Sequence, residues 1–280
     1  MLTIENQNLK VSLNELGAEL TSVYDKATNL ELLYQKDGAW PHQDVVLFPF
    51  IGPAKDYVIN GLHYSCPTNH GFARTSTFAL ASLNGDSVTL RIGDSDDTKL
   101  SYPFAFALTV TYALGKNGLK RSYLLENKGG DPLPCALGDH AAYKAHFGSA
   151  VLHLGSTPLT YLPRTNFVLH DPLPFEKGGD LLLLKADFAK YETIVLLNPR
   201  HPISLSTGFG EKITYHFHSP YIALWSPSAD SDFLCVEPWW GLSEYEGMPL
   251  ELKDRKAENI VTKSLLLEET VSYGEDEIQN

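Results

Sequence analysis

Phe78-Ala-Leu-Ala-Ser-Leu83-Asn84-Gly85-Asp86-Ser87-Val-Thr-Leu-Arg-Ile92 reads as two extended runs joined through Asn-Gly. Asparagine and glycine tolerate positive φ, which a two-residue turn needs if its twist is to match that of the strands it connects. The same dipeptide joins Tyr57-Val-Ile59 to Leu62-His-Tyr64 at Asn60-Gly61, and it follows Leu108-Thr-Val-Thr-Tyr-Ala-Leu114 at Asn117-Gly118. Three such signals predict three hairpins. Further strand candidates are Val151–Leu154, Thr193–Leu197, Ile203–Ser206, Ile213–Ser219, Tyr221–Trp225, Phe233–Glu237 and Thr262–Leu267. Gly129-Gly-Asp-Pro-Leu-Pro134 and His170-Asp-Pro-Leu-Pro174 read as connections. Amphipathic helices of ten or more residues are missing. Many short strands punctuated by Gly, Pro and Asn predict an all-β sandwich or barrel-like assembly of antiparallel sheets. Strand density barely changes from end to end and no linker or repeat interrupts it, so residues 1–280 are expected to form a single domain.

The charge balance narrows the partners. Against 34 Asp and Glu stand 22 Lys and Arg, a formal charge of −12 that opposes binding to nucleic acid or an anionic membrane surface. Part of that excess lies in the tail Glu275-Asp276-Glu277, which reads as solvated surface. Cys66, Cys135 and Cys235 are far apart, lack CxxC spacing and are odd in number, so neither a disulfide framework nor a zinc finger is indicated. The start Met1-Leu-Thr-Ile-Glu-Asn-Gln7 lacks the pattern of a signal peptide, and no apolar stretch is long enough to span a bilayer. A cytoplasmic location is expected.

Phe233-Leu-Cys-Val-Glu237-Pro-Trp-Trp-Gly241 carries the most chemistry. Side chains alternate along a strand, so Phe233, Cys235 and Glu237 share one side, opposite Leu234 and Val236. A carboxylate there stands where a core residue is expected, and burial raises its pKa toward the working range of a general base. Pro238 lacks a ladder donor and is expected to end the strand. The indoles of Trp239 and Trp240 offer flat apolar faces suited to the C–H face of a pyranose. The segment alone equally fits a loop-capping or ion-paired glutamate beside core tryptophans.

Two shorter stretches supply polar groups. Asn69-His-Gly-Phe-Ala-Arg74 sets an imidazole and a guanidinium four residues apart around a turn, and both could hold sugar hydroxyls. Leu137-Gly-Asp-His-Ala-Ala-Tyr143 places His140 next to Asp139, whose side chains point to opposite faces of a strand. Each also fits a hydrogen-bonded structural histidine. His216-Phe-His218 has strand metal-site spacing but no acidic partner nearby, and Gly208-Phe-Gly210 lacks the third glycine of a dinucleotide loop. No Walker lysine loop or nucleophile-elbow serine appears, and nothing points to a cofactor.

Taken in order, these segments resemble the galactose mutarotase (aldose 1-epimerase) superfamily. The resemblance runs from Gly17-Ala-Glu-Leu-Thr-Ser22 through Leu47-Phe-Pro-Phe-Ile-Gly52, His70-Gly-Phe-Ala-Arg74 and Gly138-Asp-His-Ala-Ala-Tyr143 to Cys235-Val-Glu-Pro-Trp239. It implies a large antiparallel β-supersandwich with a sugar-binding cleft. It implies that Glu237 is the general base at the C1 hydroxyl and His140 the general acid at the ring oxygen, an isomerase chemistry without metal or cofactor. It implies that His70 and Arg74 hold sugar hydroxyls beside Trp239. The chain departs from the pattern where Pro53, with Lys55 nearby, replaces an expected Arg, where Ala141 replaces a Pro, and where Tyr191-Glu192 replaces a substrate-binding Asp. Lys55 and Glu192 are the candidate substitutes, and the substrate is expected to differ from free galactose or glucose. The alternatives are a noncatalytic carbohydrate-binding or regulatory protein on the same fold, a glycosidase or lyase with a second carboxylate from Asp139 or Glu192, and a metalloenzyme built on His70, His140 and Glu237.

Overall fold

A computed structural model describes residues 1–36, 38–155, 158–177, 179–199, 202–227 and 231–274; the acidic tail at 275–277 lies outside them. Two large sheets dominate, and every ladder between their strands is antiparallel. Nine strands form one in the spatial order Asp180–Leu182, Val151–His153, Ile203–Ser206, Lys212–Phe217, Ser264–Tyr273, Gly118–Asn127, Phe106–Leu114, Ser87–Gly93 and Ala79–Leu83. The eight-stranded sheet runs Leu173–Phe175, Leu159–Leu162, Ile194–Leu197, Tyr221–Trp225 and Phe233–Trp240, then Leu137–Asp139 and Val46–Leu47, with Ala141–Lys144 also paired to Phe233–Trp240. A four-stranded sheet at residues 2–31 completes the larger pieces. The longest helix among the described residues is Lys185–Tyr191, and none is long and apolar enough to cross a membrane. The fold is all-β and antiparallel, a large supersandwich.

All three Asn-Gly sites join hairpins, by two different turns. Asn60 and Gly61 both have positive φ, at 51° and 78°, and connect Ile59 directly to Leu62. The other two sites lie in longer loops, between paired Leu83 and Val88 and between paired Leu114 and Leu119, where neither the Asn nor the Gly takes positive φ. The strand over 213–219 is found at Lys212–Phe217, and His216 and His218 are exposed, in keeping with solvent-facing histidines.

One contact-connected core runs from Ile4 to Tyr273 and fills the space between the large sheets, where each buried aliphatic side chain contributes about 1.5–3 kcal/mol. The strand Phe233–Trp240 is buried at every position, so it has apolar neighbours on both faces. Leu234, Val236 and Trp240 point into the main core. Phe233 and Cys235 join a separate cluster with Tyr34, Trp40 and Ala142, and Trp239 joins another with Val45, Leu47, Ile51 and Val195. Glu237 lies between these two clusters on the face of the sheet turned away from the main core.

The two sheets are also clipped by charge. Arg121, from the nine-stranded sheet, reaches Asp139 of the facing sheet at 2.7 Å and its cross-strand neighbour Glu269 at 3.1 Å, and it also pairs with Asp44. All four groups are buried. Asp139 therefore faces the sheet interface while its neighbour His140 faces the other way, as strand alternation requires.

Candidate active site

Phe233–Trp240 does not stop at Pro238. It remains paired with Tyr221–Trp225, Ile222 lying opposite Pro238, because that ladder needs no N–H from the proline. The missing donor is felt on the other edge. Gly138 lies opposite Trp239 and Ala141 opposite Val236, and between those pairs the ladder is interrupted at Asp139 and His140. The same register puts His140 directly opposite Glu237 on the outward face, where cross-strand side chains meet. His140 Nε2 lies 3.4 Å from Glu237 Oε1, and the two residues are 6% and 1% exposed. Gly138 lets the strands approach this closely, since a Cβ there would lie 2.6 Å from the Pro238 carbonyl oxygen.

Each partner is oriented from behind. Trp239 Nε1 donates to Glu237 Oε2 at 3.1 Å, leaving Oε1 for the histidine. Trp40 stacks on the His140 ring at 4.6 Å, and Trp225 meets its edge at 5.6 Å. Trp40 is itself held by its backbone N–H, which donates to the Tyr34 hydroxyl. Burial, helped by His70 and Arg74, pushes His140 well below the usual imidazole range. Burial pushes Glu237 well above the usual carboxylate range, against the opposing pull of Trp239, Arg164 and Arg74. Burial thus disfavours the charged form of each partner, the deprotonated Glu237 and the protonated His140 expected from sequence.

His70 comes from the turn after the Asn60-Gly61 hairpin. It has φ 64°, and Gly71 follows at φ 76°, where a Cβ would fall 2.2 Å from the Phe48 carbonyl oxygen. The glycine of the His-Gly-Phe-Ala-Arg stretch is thus required by a close backbone approach. The Gly52 N–H donates to His70 Nδ1 at 3.1 Å, and the His70 N–H returns a bond to the Gly52 carbonyl. A backbone N–H can only donate, so His70 Nδ1 carries no proton and Nε2 is the N–H donor. Burial and the charges of Arg74 and Arg164 push the His70 pKa down to about 3, which keeps the ring a neutral donor.

These groups line a cleft of about 150 Å³ formed by Trp40, Asn69, His70, Arg74, His140, Arg164, Phe167, Thr193, Trp225, Glu237 and Trp239. Of the residues singled out from sequence, Glu237, His140, His70, Arg74 and Trp239 come together here. Trp239 is only 2% exposed and spends its indole N–H on Glu237, so it orients the carboxylate more than it offers a stacking face. Trp240 points into the main core and is no part of the cleft. Lys55 and Glu192 are not brought into the lining. Lys55 is exposed on the strand Ala54–Ile59, whose register to Leu62–Cys66 turns it to solvent. Glu192 is exposed just past the helix Lys185–Tyr191, with φ 56°, and reaches the cleft only through its electrostatic effect on Arg164.

Arg164, Phe167, Thr193, Trp40 and Trp225 were not singled out from sequence. Arg164 and Phe167 belong to a two-residue hairpin in which Thr165 pairs with Val168, and the loop residues Asn166 and Phe167 have φ 51° and 69°. Glycine is usual at the second position of such a turn, so Asn-Phe hides it. The Arg164 guanidinium lies 5.0 Å from the Phe167 ring centroid, and its Nη1 donates to Thr193 at 2.7 Å. Phe167 is 60% exposed and held in a backbone region that costs an ordinary residue about 1–2 kcal/mol. Phe167→Gly should therefore leave the melting temperature unchanged or raised while weakening several-fold the binding of any ligand that the cleft holds. Unchanged affinity in a calorimetric titration would remove Phe167 from the site.

For a metal, His140, Cys235 and Glu237 offer ligand atoms within 4.8 Å of one another. Burial raises the Cys235 thiol well above its usual range, so thiolate ligation there carries a deprotonation cost. His70 is outside this group and its Nδ1 is already bonded to Gly52, which counts against a triad of His70, His140 and Glu237. Asp139, turned to Arg121, is no second carboxylate for glycosidase chemistry.

An antiparallel supersandwich with a buried histidine–carboxylate pair in a polar, aromatic-walled cleft has clear relatives. The family model for aldose 1-epimerase matches residues 1–257. Protein LacX, chromosomal form, of Lactococcus lactis subsp. lactis is 30% identical, the match covering 95% of each chain. The crystal structure of a galactose mutarotase-like protein from Lactobacillus casei superposes with a TM-score of 0.91 at 26% identity, covering 98% of this chain and 99% of that one. A galactose mutarotase related enzyme from Lactobacillus acidophilus also gives 0.91, at 24% identity over 98% and 97% of the two chains. The chain belongs to the aldose 1-epimerase family and has a galactose mutarotase-like fold.

Proposed function

We propose that this protein is an aldose 1-epimerase, an isomerase that interconverts the α and β anomers of an aldose, acting in the cytoplasm as one domain and without a metal. The observation that carries this reading is the buried His140–Glu237 contact of 3.4 Å. A cyclic hemiacetal bears its hydroxyl and ring oxygens on the same carbon, so two proton-transfer groups one hydrogen bond apart can serve both. Glu237 takes the C1 hydroxyl proton as His140 protonates the ring oxygen, and the C1–ring-oxygen bond breaks to give the aldehyde. Rotation about C1–C2 and closure with the proton transfers reversed gives the other anomer. The His70 Nε2–H polarises the ring oxygen, and the ring faces of Trp225 and Phe167 suit the C–H face of the sugar.

Exchange NMR on a panel of aldoses tests the reading directly: enzyme-dependent α/β exchange is expected, and binding without exchange would leave a carbohydrate-binding protein in its place. Chelators should leave the rate unchanged, whereas metal-rescued turnover would transfer the chemistry to an ion. The rate should follow a bell in pH. The charged and neutral tautomers of the pair carry the same single proton, so both rise and fall together and the limbs belong to the pair. Adding a second proton, chiefly to His140, sets the acid limb well below the ordinary imidazole value of 6.5. Losing the shared proton, chiefly from Glu237, sets the alkaline limb well above the ordinary carboxylate value of 4.5. A rate that climbed through pH 6.5 to a flat alkaline plateau would mean an unperturbed histidine acting as sole base.

A further inference from the structure

The cleft holds more positive charge than recognition of a neutral sugar requires. Arg74, from the 3-10 turn Ala73–Thr75, and Arg164, from the strand Arg164–Thr165, both line it and both are partly withdrawn from water. Among the described residues the Arg74 guanidinium has no hydrogen bond or ion pair, its electrostatic partners being the more distant Glu237 and Glu19. Arg164 spends Nη1 on Thr193, and its buried Nε has no partner. Of the carboxylates that act on the two arginines, Glu192 is exposed and outside the cleft lining, and the other two are already engaged. Glu237 is taken by His140 and Trp239, and Glu19 accepts from the Gln43 N–H and pairs with Lys36 at 3.2 Å. Withdrawing a guanidinium even partly from water with N–H groups unpaired is unfavourable, and an anion that accepts those groups offsets this far better than a neutral hydroxyl.

We propose that the aldose handled by this cleft carries an oxyanion substituent, a phosphate monoester or a carboxylate, which Arg74 and Arg164 hold while C1 lies at His140 and Glu237. This rests on the reading of the cleft as a sugar site. Two guanidinium forks match the several oxygens of such a group, and each charge-assisted bond is about twice as strong as one to a neutral acceptor. The substituent also acts on the chemistry. The Arg74 charge holds down the His140 pKa, so an anion bound to Arg74 favours the imidazolium that the ring-opening step uses. Anionic aldoses should therefore gain in kcat as well as in KM.

The test pairs binding with turnover. Unreactive 1,5-anhydroglucitol and its 6-phosphate are titrated calorimetrically, and α/β exchange is followed by NMR for galactose, galactose 6-phosphate and galacturonate. At least tenfold tighter binding of the phosphorylated analogue is expected, with kcat/KM for one of the two anionic sugars at least tenfold above galactose; which one leads identifies phosphate or carboxylate as the source. In Arg74→Gln and Arg164→Gln that preference should fall at least tenfold. Galactose turned over as well as both anionic sugars, or a preference that survives replacement of both arginines, overturns the proposal. Preferential binding of the phosphorylated analogue with no exchange on any sugar would keep the anion site and remove the epimerase. Exchange on galactose without anion preference would do the reverse.

Discussion

Glu237→Gln is expected to lower anomer exchange by about 10²-fold or more, the usual cost of removing a positioned general base. The amide fills the same volume and still accepts the Trp239 N–H, so the loss should not come from repacking. Stability supplies the control. Burial raises the Glu237 pKa above its value in the unfolded chain, so its contribution to stability is greatest in acid and is lost as pH rises through the folded value. An uncharged glutamine escapes that loss. The variant should melt at the wild-type temperature near pH 4 and at or above it near pH 8. Activity lost together with stability would instead assign Glu237 a structural part, and wild-type turnover would end the acid/base reading of the pair.

Arg121→Met should produce the largest change in stability. It leaves Asp44, Asp139 and Glu269 buried between the large sheets without their shared cation, a situation that costs about 3–5 kcal/mol. A folded domain has a margin of only about 5–15 kcal/mol, so the variant is expected to be marginal at neutral pH. The sign with pH is definite. All three carboxyls are pushed upward by burial even with Arg121 present, Asp44 to about 7, and losing the guanidinium pushes them further. Groups with raised folded values lose stability as pH rises, so denaturant melts should show a deficit larger at pH 8 than at pH 5. A deficit independent of pH would mean that packing against Tyr112, 5.3 Å from the guanidinium, matters more than charge.

Much of the architecture was legible locally because a strand's side-chain period is built into its chemistry. Alternation in Phe233–Glu237 put Glu237 on the side opposite Leu234 and Val236, which the structure turns into the main core, and the same rule separated Asp139 from His140. What failed were inferences that depended on neighbouring strands. Pro238 was expected to stop its strand, yet its missing N–H only opens the ladder on the edge that faces His140. The Asn166-Phe167 turn gave no signal because the strain of a phenylalanine at positive φ is sustained by contacts that sequence spacing does not reveal.

The sequence by itself determined the antiparallel all-β class, the acid/base candidates and the His70–Arg74 turn, since strand period, turn chemistry and residue type are local properties. Tertiary structure alone decided that His140 faces Glu237, through a register running across strands far apart in the chain. It also decided that Arg164 rather than Lys55 brings the second cation, and that Glu192 stays outside. A cleft assembled from seven separated segments has its charge set by which side chains converge, and convergence follows from sheet order rather than from spacing along the chain.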